Sequence, residues 1–285
     1  RAYENRKYQG RCVMREILTV ANKEFHDGLR NRWLLSITLI FAVLSVGLTY
    51  FGAAASGTVG VTSLSTTIAS LASLAVFLIP LIALLLSYDS FVGEQEGGTL
   101  LLLLTYPLSK NQLLLGKFFG QGGIITLATL LGFGASALLL FIQHGDFVII
   151  ETFGYFIVSA TLLGLSFTAI AYMISLLASE KSKAAGVALI TWFFFALVFD
   201  LALLALLVGA DSGLSQSALT QLMMLNPADV FRLVNLAGLD SSDVNGALAV
   251  AINANLTQAQ LLAILLAWVI APLAIASVIF KNKKL

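Results

Sequence analysis

The sequence predicts an all-α integral membrane protein: six transmembrane helices, an N-terminal interfacial elbow helix ahead of them, and both termini in the cytoplasm. Three observations carry this. First, 59% of the 285 residues are hydrophobic and 11% charged, whereas soluble domains carry about 25% charged residues. Second, six windows, 33–52, 64–88, 118–142, 153–177, 184–208 and 261–280, supply the roughly 20 apolar residues that cross a hydrocarbon core. They are continuously apolar, whereas barrel strands alternate over about 10 residues, so the spans are helices. Third, fifteen of the sixteen Lys and Arg residues fall before the first window, in the second and fourth loops or in the tail, and only Arg232 falls on the other side. Basic residues concentrate on the cytoplasmic side, which places both ends there and requires an even number of spans.

In chain order, residues 1–13 read as a tag remnant with Met14 as the natural start, which leaves Cys12 without meaning. Over 14–32 apolar residues recur at helical spacing (Met14, Ile17, Leu18, Ala21, Phe25, Leu29), the pattern of an amphipathic helix lying in the interface. Residues 33–285 form the six-helix transmembrane domain. Its first external loop, 53–63, is a small polar turn, and Pro80 should kink the second span. Gly116 and Gly120 have GxxxG spacing and permit close helix approach, though as a dimer signature they are weak.

Residues 89–117 form the longest polar interruption between two apolar runs. They include Glu94, Glu96, Gly97, Gly98, Lys110 and Lys117, and the expectation is that this segment works in water as a handle for a soluble partner. The acidic start at Glu94 and Glu96 suits the positive end of a short helix, and the glycines allow sharp entry and exit. Loop 143–152, with His144, Asp146 and Glu151, offers donors that could bind a metal, but a short solvated turn explains the same residues; no metal site is assigned. Loop 178–183 is a short basic turn.

Asp200 lies inside the fifth span, where a carboxylate is by default a functional candidate, facing water or a helix partner. The external segment 209–260 contains Asn226 and Pro227, a cap followed by a first-turn proline. An amphipathic helix on the outer surface is expected after them, with Phe231 and Arg232 on it. Met223 and Met224 would pack a surface helix.

Absences bound the chemistry. There is no GxxxxGK[ST] loop, HExxH or GxSxG, and one cysteine excludes an internal disulfide. The basic residues are topology signals along membrane edges and leave no footprint for nucleic acid. The chain reads as a non-catalytic membrane subunit that binds no cofactor of its own.

Glu94-x-Glu96-Gly-Gly-Thr99, then 102–109 with Pro107 and Ser109, then Leu113-Leu-Leu-Gly-Lys117 and the third span, resemble the pattern of exporter-type ABC permeases. The likeness extends over the whole natural chain. Within that family it resembles permease subunits of systems that mature the copper centres of nitrous oxide reductase. The resemblance implies a homodimer in a bacterial inner membrane, two copies of an ABC ATPase subunit carrying ATP and Mg below, and a periplasmic β-helical partner above. It places Phe91, Val92, Gly93, Glu94, Gln95, Glu96, Gly97, Gly98 and Thr99 in the ATPase groove as the main coupling helix. Ser179, Glu180, Lys181, Ser182 and Lys183 become a second cytoplasmic contact, and Asn226, Pro227, Phe231 and Arg232 an external-partner contact.

The cargo stays open. The spans hold Met173 but no His or Cys, so copper is not expected to cross; movement of an external partner or export of a sulfur species is expected instead. Whether His144, Met223 or Met224 touches copper is open too. Alternatives are an exporter of another substrate such as a drug or lipid, and a stand-alone secondary transporter, for which Asp200 is the sole intramembrane ionisable group.

Overall fold

A computed structural model describes residues 2–30, 33–51, 64–106, 108–209, 216–236 and 256–284, and among these the chain is helical with no strand. The expected turn at 53–63 lies outside the described residues. Helices α1 (Ala2–Arg30), α2 (Trp33–Phe51), α3 (Leu64–Ser87), α4 (Val92–Glu96), α5 (Thr99–Thr105), α6 (Lys110–His144) and α7 (Phe147–Leu177) follow in order. Then come α8 (Lys181–Phe193), a π-helical segment (Phe194–Val198), α9 (Phe199–Gly209), α10 (Gln216–Met223), α11 (Pro227–Leu236) and α12 (Gln258–Asn282).

Five stretches are long and apolar enough to cross a membrane: Leu64–Glu96, Lys110–His144, Phe147–Leu177, Lys181–Gly209 and Gln258–Asn282. The first expected span falls on α2, whose described apolar stretch, Ser36–Phe51, is shorter. The amphipathic helix forms, and its backbone reaches further back than residue 14, to Ala2.

Capping explains where the long helices begin. Ser109 accepts from the Gln112 N–H while the Gln112 side chain accepts from the Ser109 N–H, a reciprocal box that starts α6 at Lys110, eight residues earlier than expected. The same box at Thr257 and Gln260 starts α12. Between α6 and α7, Gly145 takes a left-handed conformation (φ 67°) and the Asp146 side chain accepts from the Val148 N–H at 2.9 Å. His144 and Asp146 therefore serve a helix-to-helix turn. Among the described residues no three His, Cys, Asp or Glu side chains gather as a metal site.

Helix α7 is the centre: α3, α6, α11 and α12 all pack on it, while α1 and α2 pack along α6. A chain of rings crosses the core from Phe41 to Phe133 (5.1 Å), Phe156 (4.9 Å) and Phe231 (5.7 Å). The glycine stripe of α6 is spent within the chain. A Cβ on Gly116 would lie 2.5 Å from the Val20 Cβ, and one on Gly120 would lie 2.7 Å from the Ala21 carbonyl oxygen. The GxxxG spacing thus lets α1 seat directly on the α6 backbone.

Candidate functional site

Two ends of the bundle carry polar structure. At one, α3 turns through Tyr88–Ser90 into α4, then Gly97 and Gly98, then α5. Phe91 and Val92 are wholly buried, and both their N–H groups donate to the Ser175 hydroxyl of α7, at 3.0 and 3.1 Å. The Phe91 ring sits between Tyr172 and Phe280, 5.1 Å from each. These two residues anchor the segment and are not offered to a partner. Gly93 is half-buried beside Asp89, while Gln95, Glu96, Gly97, Gly98 and Thr99 are exposed.

The backbone turns sharply here. Gly97 N–H donates to the Gly93 carbonyl at 3.0 Å, Gly98 N–H to the Gln95 carbonyl at 3.2 Å, and Gly98 takes φ 69°, the left-handed region that glycine enters without penalty. The Thr99 hydroxyl donates to the Glu94 carbonyl at 3.2 Å. Beyond the turn, Leu101 and Leu102 of α5 and Tyr106 just after it present their side chains outward.

The second nominated segment lies against the first. Glu96 Oε1 accepts from the Lys181 N–H at 2.7 Å, capping the start of α8, and the Lys181 ammonium pairs with Asp89 at 2.7 Å. Ser179, Glu180, Lys181, Ser182 and Lys183 are exposed. Lys183 donates to Glu180 at 2.9 Å and to the Ser179 hydroxyl at 3.3 Å. The hydrogen bond and charge of Lys183 hold the Glu180 carboxyl below the usual carboxylate range. The tail closes over the same end: the Lys283 ammonium donates to the Leu176 carbonyl at 2.7 Å, with burial pushing its pKa down, and Lys110 donates to the Lys283 carbonyl at 2.7 Å. Segments some eighty residues apart in sequence thus form one continuous polar surface.

Beneath it is a feature that the sequence reading missed. Lys117 is 3% exposed, inside α6, with its ammonium 2.7 Å from Glu94 and 3.1 Å from Glu24. The expectation that Lys117 and Glu94 work in water is corrected, because the Ser109 capping box carries the helix past Lys117 and buries it under α1. The Glu24 position held a signal. Ile17, Ala21, Glu24 and Gly28 share one face of α1, so a carboxylate stands within the apolar stripe and calls for a buried partner.

At the other end, the helix expected on the outer surface is instead buried in the bundle. Helix α11 packs among α3, α7 and α12, and Asn226, Pro227 and Phe231 are buried. The four residues nominated for an external partner therefore face this chain's own interior. The reason is a polar stripe, Asn226, Asp229, Arg232 and Asn235, matched at every step by the protein. The Asn226 amide donates to the Phe195 carbonyl and to Asp229, each at 3.0 Å. Arg232 Nη1 lies 2.6 Å from Asp200 and 2.9 Å from Asp229, and the Asn235 amide donates to the Ser159 hydroxyl at 3.0 Å.

Depth follows from these partners. Phe195 stands near the middle of the Lys181–Gly209 span, and Trp268, which donates to the Met224 carbonyl at 3.0 Å, is well inside the Gln258–Asn282 span. The α10–α11 hairpin thus dips into the bundle, Met223 is buried in the core, and Asp200 has a helix partner.

Comparison with known proteins identifies the family. The family profile described as ABC-2 family transporter protein matches residues 18–285. The probable ABC transporter permease protein NosY of Pseudomonas aeruginosa is 53% identical over 270 residues, covering 94% of this chain and 98% of that protein. A second, from Stutzerimonas stutzeri, is 52% identical over 274 residues, covering 95% of this chain and 99% of that protein.

Proposed function

On the premise that the chain belongs to the ABC-2 transporter family, we propose that it is a permease subunit that takes its power from a separate ATPase through the surface built by α4, α5 and the start of α8. One observation carries the reading: the two loop segments nominated for contact are tied to each other, by Glu96 to the Lys181 N–H and by Asp89 to the Lys181 ammonium, both at 2.7 Å. Phe91 and Val92 fasten that surface to α7, so a push on the exposed turn is delivered to the centre of the bundle.

In this reading the α4 end is cytoplasmic, α2 completes a set of six spans in a bacterial inner membrane, and two copies of the chain sit above two ATPase subunits that carry ATP and Mg. The system is the one that the sequence resemblance indicates, assembly of the copper centres of nitrous oxide reductase. The permease there moves an external, β-helical periplasmic partner or passes a sulfur species. With α11 buried, that partner would meet other parts of the α11 end. Copper itself stays outside: Met173 is the only thioether in the six apolar windows read from the sequence, which hold no imidazole and no thiol.

The test uses exposed positions that no core contact needs. Gln95→Trp and Thr99→Trp should leave the purified chain monodisperse but strip the ATPase from it or uncouple ATP hydrolysis. Full retention of assembly and coupling in both variants would overturn the assignment of this surface. Copper-ion transport by the reconstituted complex would overturn the reading of the cargo.

A further inference from the structure

The span that begins at α8 is not one uniform helix. At Phe194–Val198 the hydrogen-bond register lengthens to a π segment, a local defect that recurs at functional sites and loosens the helix at one point. A neighbour takes up the Phe195 carbonyl there: Asn226, at the start of α11, donates to it at 3.0 Å. Beyond this point α9 is thinly held. Leu203 is its only buried residue, while Leu201, Leu204, Leu206 and Val208 face outward. Its one ion pair among the described residues runs from Asp200 to Arg232, at 2.6 Å.

We propose that Phe199–Gly209 is a hinged arm that swings on the π segment, and that the Asp200–Arg232 pair is the latch holding it against the re-entrant helix α11.

Three features support the latch over a plain structural pair. Arg232 is held from behind by Asp229, which is 2% exposed and itself receives the Asn226 amide, so the α11 half of the latch is rigid. Asp200 is 32% exposed and is the only charge on α9. A carboxylate that far uncovered at membrane depth is costly against lipid, so this side faces water or protein, where the pair can part. Finally, ion pairs of this kind add little stability over apolar residues of similar volume. A role in choosing between two positions of α9 accounts for their presence where simple cohesion does not.

The experiment uses the full chain with its copurifying subunits in lipid nanodiscs. Spin labels are placed at Leu206 on α9 and Ala259 on α12, with labelled chain diluted by unlabelled chain. A control pair, Ile190 and Ala259, sits on the near side of the hinge. Asp200→Leu should convert the Leu206–Ala259 distances to a longer and broader distribution with loss of the short population, while the control pair stays unchanged; Asp200→Glu should retain the short population. An unaltered Leu206–Ala259 distribution in Asp200→Leu overturns the latch. A shift of both pairs together overturns the hinge, because the whole span would then have moved.

Discussion

The two ends of the bundle each hold one cation between two carboxylates, yet the surroundings give the clusters opposite mechanical characters. Lys117, 3% exposed, joins α1, α4 and α6 through Glu24 and Glu94. Around it Gly116 and Gly120 bring the α1 and α6 backbones into direct contact, and Phe91 is bolted to α7. A cavity of about 380 Å³ opens beside Glu24, Asp89 and Gln121, but the two backbones themselves are in contact. Arg232 joins α11 to α9 just beyond a π segment, with Asp200 a third exposed and α9 barely packed. The same charge arrangement is a staple where the backbone is close-packed and a latch where it is loosened. An ion pair is therefore read from the compliance of the elements it joins.

The staple is the more sensitive of the two. Lys117→Met removes the cation and leaves Glu24 and Glu94 facing each other in a mostly buried site, a loss of about 3–5 kcal/mol. Thermal unfolding in detergent should show the largest fall of any variant here. Replacing the carboxylates as well (Glu24→Gln, Glu94→Gln, Lys117→Met) should recover most of it, because the uncompensated charge, not the missing contact, carries the penalty. A triple variant no better than the single one would show that packing of the lysine stem dominates.

Arg232→Met sharpens the contrast from the other end. Asp229 is left buried without its cation, but Asp200 can turn toward water, so the expected loss is smaller, about 2–3 kcal/mol. Proteolysis separates the two clusters further. Arg232→Met should expose the α9 region to cleavage with α1 still protected, and Lys117→Met should do the reverse. Equal cleavage patterns would mean that the clusters stabilise the fold as one unit.

How much of this the sequence made legible depends on range. Continuous apolar runs over 64–88, 153–177 and 261–280 foretold helices in register with α3, α7 and α12, because length and hydropathy are local quantities. The start of α6 was misplaced by eight residues because Lys117 looks polar until its partners are known, and those partners lie 93 and 23 residues away. Helix α11 was read as a surface helix because a polar stripe facing water and one facing Ser159, Phe195 and Asp200 have the same periodicity. The two nominated loop segments, 91–99 and 179–183, lie against each other. Division of labour inside them was not visible, since burial of Phe91 and Val92 against exposure of Gln95 and Thr99 depends on Ser175 and Phe280 of other helices.

Steric closeness of α1 and α6 gives the third test. In Gly120→Leu the new Cβ alone would stand 2.6 Å from the Glu24 Cβ, so α1 must shift, costing about 1–3 kcal/mol and moving Glu24 away from Lys117. A double variant with Lys117→Met should lose less than the sum of the single losses, since both act on one contact. Additive losses would detach the glycine stripe from the staple.

The smallest effect on stability should be the most informative about function. Glu96 is exposed, and its one fixed partner is the Lys181 N–H at the start of α8, a capping interaction worth about 0.5–1 kcal/mol. Glu96→Ala should therefore barely change thermal unfolding, yet it cuts one of the two ties that make a single surface of the α4 turn and the α8 start. If that surface transmits the ATPase stroke as a unit, coupling should fall far more than stability, whereas Lys183→Ala, which breaks only pairs within its own turn, should leave coupling intact. Equal coupling in the two variants would show that the segments act separately, and the α4 turn alone would then account for transmission through Phe91.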